Sequence, residues 1–160
     1  MKAAAHPTAR RIAALLQQAG VAAAVVEFEN PVRTSAEAAA AIGCGVAEIA
    51  KSIVFRGGHS GRAVMVVASG DNRVSEVKVA ALVSEPLQRA DAAFVREATG
   101  FVIGGVAPLG HAQPLTLLLD EDLQRFGQVW AAAGTPHAVF ALTPAQLQSV
   151  TGAGWADVKA

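Results

Sequence analysis

The sequence predicts a mixed α/β fold of the α+β type, and three observations predict it. Single helical segments are interspersed with short apolar strands, and two adjacent strands are joined by the short loop 57–61. No strict alternation of strand and helix runs through the chain, which disfavours a purely parallel sheet. The length of 160 residues matches one domain, so we expect residues 1–160 to form a single domain.

Capping residues predict where the helices begin and end. An amphipathic first helix over 8–19 has Ile12, Leu15 and Leu16 at helical spacing, and Gly20 closes it. Later helices follow these N-caps: Thr34 or Ser35, Ser75, Asp91, and Thr143 with Pro144 behind it, for a helix over 144–150. The glycines expected to end helices are Gly43 and Gly100.

Apolar, β-branched segments predict the strands. The first spans 21–29 and is broken by Pro31, and a short helical turn over 46–51 leads into the next. The remaining strands are predicted over 52–57, 62–70, 115–120, 128–134 and 137–142, with a last short strand within 154–158. Loop 57–61 makes an antiparallel hairpin, and Asp120 caps a turn over 121–126.

The charge balance excludes strong nonspecific attraction to nucleic acid. Thirteen basic residues face thirteen acidic ones, and charged residues are 16 % of the chain, below the roughly 25 % of ordinary domains. Any nucleic-acid partner must therefore be held by a local patch, and we expect no DNA partner.

Targeting signals and disulfides are not predicted. No apolar run reaches the roughly 18 residues that span a bilayer, and Arg10 and Arg11 divide the apolar N-terminal segment. Cys44 is the only cysteine, so an intramolecular disulfide is impossible and a reducing compartment is favoured. We therefore expect a cytoplasmic protein without a membrane partner.

The common catalytic constellations are missing. Cys44 has no activating base near it in sequence and is interpreted as a small buried residue. The histidines are scattered: His6, His59, His111 and His137. Their spacing does not fit a zinc site, so we expect no metal and no cofactor. The glycine-rich segment also fits neither the P-loop nor the dinucleotide-binding pattern.

One segment, "TGFVIGGVAPLGH" over 99–111, combines glycines with apolar residues. Glycine allows backbone N–H groups to converge on a developing negative charge, as in an oxyanion hole, and Pro108 stiffens the loop. The alternative is a buried turn between two core strands, and the composition does not separate these two interpretations.

A few polar residues stand where apolar strands begin or end. Lys51 precedes an apolar strand, where it either reaches solvent or directs its charge into a cleft. Asp71, Asn72 and Arg73 follow a strand, in a position typical of binding residues and of turn formers alike. His137 follows the "GTP" turn and enters a strand, where a lone histidine is more often structural than catalytic.

In order and spacing, four segments resemble the YbaK and prolyl-tRNA synthetase-associated editing domain family. They are "IAKSIVFRG", "VVASGDNRVSEVKVAAL", "ATGFVIGGVAPLGH" and "TPAQLQSVTGAGWADV", and the resemblance covers about residues 8–158. It implies the YbaK-like fold, with helices flanking a central mixed, largely antiparallel curved sheet. It also implies metal-independent hydrolysis of the ester that links a wrong amino acid to the 3′ end of a tRNA.

The resemblance also implies roles for individual residues. Catalysis falls to Lys51 and to the loop residues Gly104, Gly105, Val106, Ala107 and Pro108. Substrate binding falls to Phe28, Ile53, Ser69, Asp71, Arg73, Lys78, Ile103 and His137, and Val25 and Val67 are further candidates for the pocket wall. The family often has two adjacent lysines where this chain has Lys78 and Val79, which removes one possible RNA contact.

Three functions remain open from the sequence. The first is a free-standing deacylase that acts in trans on tRNA-Pro carrying a small amino acid such as Cys, Ala, Ser or Thr, with prolyl-tRNA synthetase as a possible partner. The second is a non-catalytic module that binds tRNA or a synthetase on the same fold. The third is a small-molecule hydrolase or binding protein that reuses the glycine loop. The amino acid and the oligomeric state do not follow from the sequence.

Overall fold

A computed structural model describes residues 1–160, and its nine strands form one sheet. The strands are β1 Lys2–Ala3, β2 Val26–Glu27, β3 Ile49–Gly57, β4 Ala63–Ser69, β5 Leu87–Arg89, β6 Thr116–Asp120, β7 Val129–Ala132, β8 Ala138–Leu142 and β9 Gly154–Ala156. The helices are α1 Pro7–Gln18, α2 Ser35–Ile42, α3 Glu76–Val83, α4 Ala92–Thr99 and α5 Pro144–Thr151, with 3-10 turns at Val46–Glu48 and Glu121–Arg125. No helix is both long enough and apolar enough to span a membrane.

The sheet is mixed and mostly antiparallel, as predicted. Its main order is β1-β2-β8-β7-β3-β4-β6-β9, and β5 pairs with β3 outside this path. The β7–β3, β4–β6 and β6–β9 pairs are parallel, whereas the other five pairs are antiparallel. The predicted hairpin is the β3–β4 pair, the longest in the sheet, and both strands belong to the centre of the fold.

The capping signals set the helix ends. Thr34, rather than Ser35, caps α2, because its hydroxyl accepts the Glu37 backbone N–H at 3.1 Å. The other predicted N-caps also accept a backbone N–H in the first turn: Ser75, Asp91 and Thr143. Gly43 and Gly100 both adopt the left-handed conformation at the predicted helix ends.

Three hydrophobic clusters pack on the sheet. The largest places α1, α4, α5 and the glycine-rich loop on one side, through residues such as Ile12, Phe101 and Met65. The other two clusters pack α2 and α3 against the sheet, with Ile49 in the α2 cluster and Phe55 beside the α3 cluster. Ala50 and Val54 instead join the largest cluster, so alternate β3 residues face the two sides of the sheet.

Several predicted strand limits were wrong. The strand predicted over 21–29 is reduced to Val26–Glu27, because alanines at 22–24 give the preceding segment little β propensity. The helical turn predicted over 46–51 ends at Glu48, because Ile49 and Ala50 already pair with β4 or β7. The short strands β1 and β5 were not predicted, since pairing with distant partners defines them more than their own sequence does.

Candidate active site

The candidate site begins at a gap in the sheet beside β3. On one edge of this strand, β7 pairs only with Ile49 and Ala50, and β5 pairs only from Phe55 onward. Residues 51–54 therefore have no strand partner on this edge, although β4 pairs with them on the other. The gap exposes a strand edge in the middle of the fold.

The backbone of β3 presents polar groups to this gap. Gly57 N–H donates to Arg62 O on the β4 side, whereas Gly58 N–H donates to Pro86 O on the β5 side. Because successive residues direct their N–H and C=O groups to opposite edges, those of Ser52 and Val54 face the gap.

A cavity of about 150 Å³ opens at the gap. Lys51 and Ser52 form its β3 wall together with Ile49 and Ala50. The remaining lining residues are Phe28, Val32, Arg33, Thr34, Ser35, Ala38, Gly104, Val106, Trp130, Ala131, Ala132, Pro136, Ala138 and Val139. The lining is mostly apolar, and its only charged residues are the cations Arg33 and Lys51. It contains no carboxylate, imidazole or thiol.

A second cavity of about 180 Å³, lined by fewer residues, adjoins the first. The two share Ser52, Gly104 and Val106, and Ile53 and Ile103 line the second one. The glycine-rich loop therefore stands at the boundary between both cavities, opposite the open edge of β3.

Lys51 is half-buried on the side of the sheet that packs against α2 and α3. Its Nζ donates to the carbonyl oxygen of Gly70 at 3.2 Å. Burial lowers the pKa of the Lys51 ammonium, and the negative charges of Asp71 and Asp120 oppose that shift. The side chain is thus held at the cavity wall by a defined acceptor rather than extending freely into solvent.

The Gly70 carbonyl belongs to a tightly supported turn over 69–72. Asn72 N–H closes the turn on Ser69 O at 2.9 Å. The buried Asp120 carboxylate accepts the Ser69 N–H and the Asn72 side-chain amide, both at 2.9 Å. Its other oxygen accepts the Asp122 N–H at 3.0 Å. These bonds fix the turn from which Gly70 meets the Lys51 ammonium.

The glycine-rich loop opens with a tight turn over 102–105. Gly105 N–H donates to Val102 O at 3.0 Å, and Gly104 has φ +88°, as the third residue of a type II turn requires. A Cβ on Gly105 would lie 2.6 Å from the carbonyl carbon of Thr135. Glycine at 105 therefore allows the loop to contact the turn that follows β7.

Two buried backbone donors of this loop have no acceptor in the protein. Neither Val106 nor Ala107 donates its N–H to another protein group, and both residues are buried. The Ala107 carbonyl accepts a hydrogen bond from His111 Nε2 at 2.7 Å, which ties this part of the loop to the residue that follows it. Buried N–H groups are nearly always paired, which makes this stretch suited to a ligand or a water molecule.

Helix α1 supports the end of the loop. The Arg11 guanidinium donates to Gly110 O at 2.9 Å and lies over the Phe101 ring. Burial and the nearby Arg11 charge lower the pKa of His111, and its bond to Ala107 O acts in the opposite direction. The neutral ring then carries its proton on Nε2, where it donates to the Ala107 carbonyl.

The structure brings together only part of the predicted site. Phe28, Lys51, Gly104 and Val106 line the first cavity, and Ile53 and Ile103 line the second. Ser69 and Asp71 belong to the turn that receives Lys51.

The other predicted residues lie outside both linings: Val25, Val67, Arg73, Lys78, Gly105, Ala107, Pro108 and His137. Lys78 pairs with Asp157 at 2.9 Å, and the exposed His137 contributes its backbone carbonyl to Phe28 N–H. The catalytic or binding roles of these eight residues therefore stay predictions.

Sequence reasoning missed several residues of this site. Arg33 borders the cavity from the segment before α2, and Trp130 borders it from β7. Asp120 was predicted only as a local cap, although it also reaches Ser69 and Asn72. The available signal for Asp120 was a carboxylate at the end of an apolar strand, a position that requires hydrogen-bond partners when buried.

The fold and site define a mixed α/β protein with a cationic, acid-free cavity between an open strand edge and a glycine loop. The chain belongs to the aminoacyl-tRNA editing domain family, whose model matches residues 29–150. This match confirms the family resemblance predicted from the sequence.

Individual relatives agree with this assignment. A solved structure of a proposed trans-editing enzyme for prolyl tRNA synthetase is 46 % identical, covers 98 % of this chain and 99 % of its own, and gives a TM-score of 0.92. The hypothetical protein APE2540 is 30 % identical over 94 % of this chain and 99 % of its own, with a TM-score of 0.86. The uncharacterized protein YwhH of Bacillus subtilis (strain 168) is 35 % identical over 84 % of this chain and 85 % of its own length.

Proposed function

We propose that this chain is a free-standing aminoacyl-tRNA deacylase that hydrolyses the ester of a mischarged tRNA in trans. The observation that carries the proposal is one cavity lined by both Lys51 and Val106, whose backbone N–H has no acceptor in the protein. Family membership supports an editing role, and the solved relative described as a trans-editing enzyme supports action in trans.

The reaction adds water across the ester. Water attacks the carbonyl carbon, the electron pair moves to the carbonyl oxygen, and the tRNA ribose oxygen then leaves and takes up a proton. Amide N–H groups stabilise such a developing oxyanion without titrating, and Val106, which lines the cavity, has a backbone N–H group that no protein acceptor takes up. The Lys51 ammonium adds a positive charge on the opposite wall, where it binds the polarised ester end of the substrate.

In our proposal the substrate itself orients the attacking water, and the leaving ribose oxygen takes up the proton that the water loses. No carboxylate, imidazole or thiol lines the cavity, so the neighbouring ribose hydroxyl, or a thiol of the substrate itself, orients the water. The same lining offers none of the side chains that usually hold a catalytic metal ion, which supports a metal-independent reaction.

The size of the cavity supports a small amino acid as the group removed. Phe28, Trp130 and Val139 occupy much of its apolar wall, and the space between them is about 150 Å³. We propose Cys, Ala, Ser or Thr on tRNA-Pro. An apolar pocket discriminates one methylene by only about 1–3 kcal/mol, so a second, editing pocket adds selection that the synthetic site lacks. Such an enzyme works in the cytoplasm, with prolyl-tRNA synthetase as a possible partner.

The test measures release of amino acid from tRNA-Pro charged separately with Ala, Cys, Ser and Thr. We expect the wild type to release at least one of them and Lys51→Ala to be slower by about 100-fold, because it loses the charge at the cavity wall. Lys2→Ala is the matched control, since Lys2 is exposed in β1 and lines neither cavity. Release at the buffer rate by the wild type on all four substrates would contradict the deacylase, and tRNA binding without release would favour the non-catalytic module.

A further inference from the structure

This chain has no net charge, so an RNA ligand must be attracted by positive charge concentrated at one place on the surface. Lys78 and Lys159 are paired with Asp157 and Asp122, so their charges are offset. Arg11 is engaged with Gly110 and the Phe101 ring. The cavity lining itself contains two cations, Lys51 and Arg33.

Arg33 is available for an anionic ligand. It is exposed at the cavity, and its guanidinium forms no ion pair and no side-chain hydrogen bond. The Glu37 carboxylate accepts the backbone N–H of Arg33 at 3.0 Å and does not pair with its side chain. The backbone is thus fixed while the guanidinium remains free.

The two cations occupy different depths of the same cavity. Lys51 is half-buried and bonded to Gly70 O, whereas Arg33 is solvent-exposed in the segment just before α2. The lining offers no carboxylate that would repel an anion. A guanidinium matches a phosphate with paired N–H donors, while an ammonium acts as a point charge.

We propose that Arg33 binds the phosphodiester on the 5′ side of the terminal adenosine while the aminoacyl ester lies at Lys51 and Val106. This inference rests on the proposed function, and it names the part of the RNA that gives the chain its affinity. One nucleotide links the two groups, so a cavity that holds the ester brings this phosphate to its exposed side. The local contact replaces the long-range attraction that a neutral chain lacks.

The first experiment measures binding rather than catalysis. The probe is an acceptor-stem minihelix ending in CCA whose alanine is attached to the terminal ribose through an amide, which the enzyme does not hydrolyse. We expect Arg33→Ala to raise Kd about fivefold at low salt and to reduce the slope of log Kd against log salt by about 0.7, the value for one contact to a single strand. Arg33→Lys should recover part of the affinity. Arg62→Ala is the control, since Arg62 is exposed at the far end of the β3–β4 hairpin.

The second experiment identifies the phosphate and needs no altered protein. Replacing this one phosphodiester by an uncharged methylphosphonate should weaken binding by wild type about as much as Arg33→Ala does. On the modified probe, Arg33→Ala should then have no further effect. Equal Kd values for wild type and Arg33→Ala, or additive losses from the two changes, would overturn the proposal. Because both measurements report binding, they stand apart from a failure of wild type to deacylate, which contradicts the proposed function instead.

Discussion

Lys51 and Gly70 are joined by a hydrogen bond of 3.2 Å from the lysine Nζ to the glycine carbonyl oxygen. The bond links β3 to the turn after β4, and the central peptide of that turn carries the acceptor. Asp71 does not have a positive φ, so the turn is not of type II, whose central peptide has the opposite orientation. The position of the ammonium therefore depends on the residues that hold this turn.

Asp120→Asn should loosen that turn. The buried carboxylate accepts three N–H groups, and an amide in its place would direct its own donors at one of them. We expect a loss of about 3 kcal/mol in the free energy of unfolding, measured by urea denaturation, together with slower deacylation.

Asp122→Asn is the matched control for Asp120. Its side chain is nearer the surface, at 16 % exposure, and it binds Asn72 and Lys159. We expect a smaller loss, about 1 kcal/mol. Equal stability of the two variants would contradict the role given to the buried carboxylate.

Gly105→Ala should displace the glycine-rich loop. The new Cβ would meet three backbone atoms of Thr135 and Pro136 at 2.6–2.8 Å, and none of them is the end of a flexible side chain. We expect a loss of about 3 kcal/mol and strongly reduced deacylation, because Val106 moves with the loop. Thermal unfolding and initial rates measure the two effects.

Two other glycines calibrate this result. Gly104→Ala has open space but a φ of +88°, and we expect it to cost about 1–2 kcal/mol. Gly127→Ala meets nothing and has no positive φ, so its stability should stay within about 1 kcal/mol of wild type. If Gly105→Ala were as stable as Gly127→Ala, the close contact with Thr135 would be refuted.

His111 should make stability depend on pH. Burial, reinforced by the Arg11 charge, lowers its pKa below the ordinary value of 6.5. The unfolded chain therefore binds more protons than the folded one below that value. The stability contributed by the neutral ring is complete above about pH 6.5 and declines as the pH falls toward the lower folded pKa.

Chemical denaturation from about pH 7.5 to about pH 5 checks this expectation. His111→Gln keeps a donor for Ala107 O but does not titrate, so its stability should fall less over this range. His59→Gln, at an exposed hairpin position, should follow the wild-type profile. The same decline in His111→Gln as in wild type would show that another group is responsible.

Much of the fold was predictable because its signals are local. Thr34, Ser75 and Asp91 cap helices through bonds to residues three positions later, so a short sequence window contains the whole interaction. The β3–β4 hairpin follows from two apolar segments and a short loop. By contrast, β1 and β5 exist through pairing with distant strands, which no short window contains.

The site residues also include some that the sequence predicted and others that only the structure revealed. The importance of Lys51 and of Gly104–Pro108 was predicted from family resemblance, and the residue types in the loop made a backbone role plausible on physical grounds. Arg33 carries no such signal, because its relation to Lys51 arises only when the segment before α2 packs beside β3. Asp120 reaches Ser69 across 51 positions in the sequence, so its support of the turn is equally non-local.

The sequence by itself determined the helix ends, the central hairpin, the family and the balanced charge, because local hydrogen bonds, apolar patterns and composition specify them. Only the tertiary structure decided where β7 and β5 stop along β3, and hence that residues 51–54 border an open gap. It also placed the glycine loop across that gap from Lys51 and added Arg33 at the exposed side. These relationships depend on long-range strand register and packing, and a cavity exists only where several distant segments meet.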